Sequence, residues 1–377
     1  MLRQQKYCAF LKRNSFTPAT PATPATPATP ATPATPATPA TPATPATPVE
    51  VMKLGILGTM VWDRIHARDV RVAPFEEWGG ITYALAAADA ARASSWTLVP
   101  ILKVGTDLQD RAFEFLRTLG NIDVEAGIRV VEQPNNRVEL HYQENVRRCE
   151  RLSGGVPGWT WSELAPILGD VDALYVNFIS GFELTLPEAL QLRLGYHGPM
   201  YADFHSLLLG MDAGGLRSPR ALVDWREWLR CFDVVQLNET ELETLAQSWG
   251  DPWRFASDVV NDELKLLLVT LAERGAAYVV SPSFQSEPMS WRPRGIVKPP
   301  LRVVGKAVSR HLAAEQGPLD GDPTGCGDVW GATFFCRLLA GDALDYAMEA
   351  ANRAAGRNVL HRGATGLNHY LRGRLAP

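Results

Sequence analysis

The segment Asp322-Pro323-Thr324-Gly325-Cys326-Gly327-Asp328 places a carboxylate at each end of a glycine-bearing turn, directly before the apolar run 329–335. Pro323, Gly325 and Gly327 favour a tight turn over a helix interior. The run that follows reads as a helix with its stop at Gly341. A turn-to-helix junction directs backbone N–H groups outward, and the helix dipole adds partial positive charge there. The junction therefore suits an anion such as a transferring phosphate. Asp328 at this junction has two readings: a helix cap, or a general base that takes a proton from a substrate hydroxyl. Cys326 has no legible His or acid partner for thiol chemistry and reads as a small residue tolerated in the turn.

Three further clusters carry chemistry. Asn238 and Glu241 stand three apart at the end of the apolar run 232–237. They either form a capping box or offer hard oxygen ligands to Mg2+, directly or through waters. Asp63 follows the apolar stretch 53–58, at the strand end where ligands sit in open α/β sheets. For an isolated Asp there, a solvated loop acid is the plain reading. Gly79-Gly80 opens an Ala-rich helix that runs to Arg92 and would let a ligand approach backbone N–H groups closely.

The elements that must position these residues are short apolar runs alternating with helix-patterned segments. Runs near 53–58, 98–104, 172–178, 200–204, 232–237 and 266–271 read as buried strands, and 111–119 has helical apolar spacing. This alternation predicts an α/β fold with a doubly wound, mostly parallel sheet covered by helices on both faces. Segments 129–131 and 137–142 alternate and read as further strands. Arg137 and His141 there could touch substrate, although a solvated strand face is the plainer reading.

Composition narrows the function classes. The chain has 377 residues, 46% hydrophobic and 21% charged, with a net charge of −4. That supports a substantial core and gives no nucleic-acid or anionic-membrane surface. No apolar run approaches the roughly 20 residues of a membrane span. The basic start has too short an apolar core for a signal peptide. Five scattered cysteines without metal spacing fit a reducing, cytoplasmic setting. Residues 17–48 are an uninterrupted Thr-Pro-Ala repeat, which favours solvated polyproline II. Residues 1–51 thus read as a disordered, dispensable tail, and 52–377 as the folded domain, beginning at Met52. The chain lacks both the G-x-x-x-x-G-K-[ST] and the G-x-G-x-x-G patterns, which argues against a P-loop enzyme and a nicotinamide oxidoreductase.

Asp322 to Phe334 resembles the C-terminal signature of the ribokinase-like (PfkB) carbohydrate kinases, D-T-x-G-A-G-D, with Pro323 and Cys326 departing from the commonest letters. The resemblance continues in the family's order through Gly58 and Asp63, Gly79-Gly80, Val104-Gly105-x-Asp107, Asn238-x-x-Glu241 and Thr270 to Gly275. It implies transfer of the ATP γ-phosphoryl group to a hydroxyl of a sugar, cyclitol or nucleoside. In that reading Asp328 is the base, the Gly325, Cys326 and Gly327 amides form the anion hole, and Asp63, Gly79 and Gly80 bind substrate. Asn238, Thr270, Gly275 and Asn352 lie along ATP, and Asn238 and Glu241 hold Mg2+. Asp322 with the loop 361–365 answers to the family's monovalent-cation site, for an ion such as K+. A small β lid is implied, with strands around 64–78 and 128–143, through which a homodimer could form. Ala84 and Ala272 replace the family's usual Asn and Gly. These replacements keep a second reading in play, a non-catalytic nucleotide- or sugar-binding regulator on the same fold. Arg64, Arg68 and Arg137 leave a phosphorylated sugar open as substrate.

Overall fold

A computed structural model of the protein describes residues 51–66, 73–142, 148–292, 305–315 and 319–374. The expected tail, apart from Val51, lies outside the described residues.

Among the described residues, nine strands form the main sheet. In chain order the first are β1 (Lys53–Leu57), followed by the lid strands β2 (Met60–His66) and β3 (Phe75–Gly80), then β4 (Thr97–Gly105) and β5 (Ile128–Val131). The lid resumes with β6 (Arg137–Tyr142) and β7 (Arg148–Ser153), and the main sheet with β8 (Ala173–Asn177) and β9 (Met200–Asp203). A small hairpin, β10 (Leu209–Met211) and β11 (Arg217–Pro219), precedes β12 (Val234–Asn238), β13 (Leu266–Thr270), β14 (Ala276–Val280) and β15 (Val308–Leu312). The main sheet runs β15-β14-β13-β12-β9-β8-β1-β4-β5. It is parallel from β13 through β5, and β14 lies antiparallel to both of its neighbours.

Strand alternation divides the apolar residues between two cores. Leu54, Ile56, Tyr175, Leu266 and Leu268 face one helical layer. Leu57, Leu174, Val176, Leu267 and Val269 face the other. The first layer contains helices Ile81–Ala91, Cys326–Leu339 and Leu344–Val359. The second contains Trp161–Leu168, Leu186–Gly195, Trp225–Arg230, Glu239–Leu245 and Pro252–Val259. Burial on both faces explains why the parallel strands read as unbroken apolar runs.

The lid is a four-stranded sheet in the order β3-β2-β6-β7. β2 pairs antiparallel with β3 and parallel with β6. Val61, Val138, Leu140 and Leu152 form a small core on one face, with Ile65 against it. Alternation puts Asp63 on that face and Trp62, Arg64 and His66 on the other. The parallel register of β6 places Arg137, Glu139 and His141 beside Trp62, Arg64 and His66. Arg137 and His141 therefore point away from the Asp63 face, which favours the plainer reading of both.

Two expectations change. Strand 128–131, expected in the lid, extends the main sheet beside β4, and β7 takes its place as a lid strand. Alternating polarity marks a half-exposed strand without saying which sheet holds it. The stretch 281–317, long and rich in Pro and Arg, reads from the sequence as an elaborated loop, yet it contributes β15 to the sheet edge. Residues 293–304 and 316–318 of that stretch lie outside the described residues.

Candidate active site

Parallel strands deliver their C-terminal ends to one edge, and the polar residues converge there. Register aligns Asn177 with Asp203, Asp203 with Gln236, and Asn238 with Thr270. The Cys326–Leu339 helix starts above this row.

The turn that launches the helix is tied on several sides. Asp322 N–H donates to the Val359 carbonyl at 2.9 Å, and Asp322 Oδ1 accepts from Thr324 N–H at 2.9 Å. Cys326 N–H closes the turn on the Pro323 carbonyl at 3.1 Å, so this amide is not presented to a ligand in the present state. The buried Asn358 donates to the Thr324 carbonyl at 2.8 Å and to Cys326 Sγ at 3.3 Å. Gly325 takes φ +76°, and a Cβ there would lie 2.3 Å from Tyr83 Cγ. Burial pushes the Cys326 thiol up to about 11, which keeps it protonated near neutral pH and suits a packing role over a nucleophilic one.

Asp328 lies in the first turn of the helix, and Gly325 occupies the N-cap position without a side-chain capping bond. Asp328 is therefore not the N-cap residue itself. Its Oδ1 accepts from Asn177 Nδ2 at 2.6 Å. Gln236 Nε2 donates to Asp203 Oδ2 at 2.8 Å and to the Gly327 carbonyl at 3.1 Å, and Gln236 Oε1 accepts from Tyr201. One carboxamide thus joins β9, β12 and the phosphate-suited turn.

Asp203 is 4% exposed. Burial, followed by the neighbouring charges of Glu241 and Asp328, pushes its carboxyl up to about 8. His205 Nδ1 lies 2.7 Å from Glu241 Oε1. Burial opposes the imidazolium, but this hydrogen bond and the Glu241 charge outweigh it and hold His205 up at about 9.

Asn238 and Glu241 form the complete capping box. Asn238 Oδ1 accepts from Glu241 N–H at 3.0 Å, and Glu241 Oε2 accepts from Asn238 N–H at 2.8 Å. Glu241 Oε1 lies against both His205 Nδ1 and Asn238 Nδ2, whereas Oε2 takes the one Asn238 N–H and keeps a second lone-pair direction.

On the substrate side, a Cβ at Gly79 would fall 1.8 Å from Asp63 Oδ2. Glycine there is what allows the buried Asp63 carboxylate to lie against the β3 backbone. Gly80, at φ +62°, is the N-cap position of the Ile81–Ala91 helix. Tyr83, 3% exposed, links the two halves. Its ring fills the space under Gly325. Burial and the charges of Asp63, Asp322, Glu77 and Asp328 push its hydroxyl pKa well up. Glu77 Oε1 accepts from Thr365 N–H at 2.9 Å, and a Cβ at Gly363 would overlap the Glu77 carboxyl at 2.0 Å.

The remaining expected residues hold structure in this state. Thr270 sits half-buried beside Asn238 at the strand ends. Gly275, at φ +91°, admits the Leu312 carbonyl, which a Cβ would meet at 2.2 Å. Asn352 Oδ1 accepts from Trp330 Nε1 at 2.8 Å, so it bridges two helices. Ala84 is fully buried in the core. Ala272 sits at φ +53°, a left-handed conformation where glycine costs least. Sequence reasoning missed Asn177, Asp203, His205, Gln236 and Tyr83. A polar residue closing an otherwise apolar strand was the available signal for the first two.

No family model and no curated protein sequence matches this chain. Solved structures do. Arabidopsis thaliana ribokinase, complexed with ribose and ATP, is 16% identical, with a TM-score of 0.59 over 86% of this chain and 98% of that one. The chain has the ribokinase fold. The same fold is seen in a pyrophosphate-dependent kinase of the ribokinase family, complexed with a pyrophosphate analog and myo-inositol (17% identity, TM-score 0.62, 85% of this chain and 99% of that one). It is seen again in Burkholderia thailandensis nucleoside kinase in complex with inosine (14% identity, TM-score 0.59, 84% of this chain and 94% of that one). In this ribokinase fold, no helix among the described residues is long and apolar enough to cross a membrane.

Proposed function

We propose that this protein is a phosphotransferase that moves the γ-phosphoryl group of ATP to a hydroxyl of a sugar or related polyol. The observation that carries the reading is Tyr83. One buried ring touches the turn suited to phosphate and feels the carboxylates of Asp63 and Asp328 together. This supports a reading in which a hydroxyl-binding acid and a base act near one another beside the helix N-terminus.

Phosphoryl transfer depends on positioning and charge stabilisation. Asp63 accepts hydrogen bonds from substrate hydroxyls, with the Gly79-Gly80 backbone beside it. The Gly325 and Gly327 amides and the helix dipole stabilise charge on the transferring group; Cys326 N–H joins them if its bond to Pro323 opens. Asp328 takes the proton of the attacking hydroxyl, and the Asn177 carboxamide fixes the orientation of that carboxylate. Asn238, Thr270, Gly275 and Asn352 lie along the nucleotide. The lone pair left on Glu241 Oε2 fits Mg2+ held through waters, with Asn238 beside it; the ion would neutralise phosphate charge. The second Asp322 oxygen fits a monovalent cation in the same outer role. Arg64 and Arg137 lie on the lid face opposite Asp63, which favours a neutral polyol over a phosphorylated one; Arg68 lies outside the described residues.

The test is donor consumption across a panel of sugars, sugar phosphates, cyclitols and nucleosides, with ATP or pyrophosphate as donor. One acceptor class should stimulate turnover with ATP, and Asp328→Asn should reduce it by about 10²–10⁴-fold while ATP still binds. Stimulation by pyrophosphate alone overturns the donor. Equal turnover by the parent and Asp328→Asn overturns the base. Nucleotide binding without turnover on any acceptor supports the regulator, a reading that Ala272 in place of glycine keeps in view.

A further inference from the structure

The outer face of the lid carries a group of side chains that the phosphotransfer reading does not use. His66 on β2 and His141 on β6 are direct neighbours in the parallel register. Their rings stack at 4.1 Å between centroids with 12° between planes. Glu139, two residues before His141 on the same face, brings its Oε2 to 3.9 Å from His141 Nε2. One ligand atom from each of the three lies within 4.8 Å of the others.

We infer that His66, Glu139 and His141 form a binding site for a divalent transition-metal ion of the zinc type on the lid's outer face. Four observations support it. First, His66 Nε2 is buried and has no hydrogen-bond partner among the described residues, a costly state for a polar nitrogen that ligation would relieve. Second, two imidazoles and a carboxylate suit Zn2+ and its first-row neighbours, whereas Mg2+ prefers oxygen ligands. Third, ligand atoms around a tetrahedral Zn2+ with bonds of about 2.0–2.1 Å lie about 3.4 Å apart. Closing a 4.8 Å pair to that spacing takes about 0.7 Å of movement from each side chain, within reach of small χ adjustments. Fourth, Arg64, the cation beside Glu139 in register, pairs at 3.4 Å with Glu76, a carboxylate other than Glu139.

The site joins β2 to β6 at the end of the lid remote from the main sheet. Asp63 lies three residues before His66 on the same strand but on the opposite face. The ion would therefore stiffen the strand that presents Asp63 without touching substrate. Three protein ligands leave one position for water.

The experiment uses the full chain without added donor or acceptor. Zn2+ is titrated against a chromophoric chelator in the presence of excess Mg2+, and Co2+ is followed by its visible absorption. The expected result is one ion per chain, unaffected by Mg2+, with a tetrahedral Co2+ band and a raised Tm. His66→Ala and His141→Ala should each weaken Zn2+ by at least about tenfold and abolish the Co2+ band. His66→Gln serves as the second variant, since it keeps side-chain bulk and a polar tip. Absence of stoichiometric Zn2+ binding overturns the inference. So does binding that persists undiminished in folded His66→Gln and His141→Ala, because the ion then lies elsewhere. Phosphotransferase activity is not read in any arm, so the inference stands or falls apart from that assignment.

Discussion

Replacing Gly325 by alanine should damage both the fold and the site. Two costs add. An L-residue in the left-handed region, where Gly325 sits at φ +76°, costs about 1–2 kcal/mol. The new Cβ would also lie 2.3 Å from Tyr83 Cγ, against an ordinary carbon–carbon separation of about 3.5–4.0 Å. Tyr83 must then retreat by more than about 1 Å into surroundings where it is 3% exposed. Such overpacking adds about 1–3 kcal/mol. The expected loss is about 2–5 kcal/mol in urea unfolding, and because the same movement shifts the turn against Asp328, about 10²-fold in turnover. Tyr83→Ala provides the control. In the double variant the steric part disappears, so the two single losses should exceed the double loss by about 1–3 kcal/mol. A Gly325→Ala protein within about 0.5 kcal/mol and twofold in turnover of the parent would show that the turn does not rest on Tyr83.

Other expectations test neighbouring parts of the same network. Ala272→Gly should stabilise the protein by about 0.5–1 kcal/mol, since relief of left-handed strain exceeds the added chain entropy; a lower urea midpoint would contradict this. Asn177→Leu removes the donor to Asp328 and should lower kcat by about tenfold or more with little change in KM; an unchanged kcat would dismiss Asn177 as a positioning residue. Asp203 and His205 hold their protons up to about 8 and about 9 in the folded protein. Both bind protons more tightly folded than unfolded, so their contribution to stability is lost as pH rises through those values. Urea midpoints measured from pH 6 to pH 9.5 should fall, Asp203→Asn should flatten the fall, and a rise over that range would reverse the sign of the argument.

The sheet was legible because burial on both faces writes parallel strands as apolar runs; 266–271 and 172–178 needed no partner to be recognised. The Asp322–Asp328 turn was legible because its glycines and acids lie together in the chain. Asn177, Asp203 and Gln236 were not, since their proximity comes from strand order β8-β9-β12, which depends on long-range pairing. Tyr83 sat inside a helix pattern, where a tyrosine is ordinarily a core residue, and only its contact beneath Gly325 distinguishes it. Asn238 and Glu241 show the limit of spacing. Three residues apart is right for a capping box and for a water-bridged metal site alike. The structure completes the box and leaves one lone-pair direction, on Glu241 Oε2. Strand 128–131 went to the wrong sheet because its alternation carries no address.

The contact between Glu77 and Thr365 spans 288 residues of chain, and the bond between Asn177 and Asp328 spans 151. During synthesis the lid strands and the first half of the main sheet emerge long before their partners. The lid cannot latch through Glu77 until Thr365 has left the ribosome, and the candidate base cannot meet its orienting amide until Asp328 has. A nascent chain halted near Gly341 would hold much of the sheet with an unfastened lid. Completion of the site during synthesis thus waits for the C-terminal segment that carries Asp328 and Thr365.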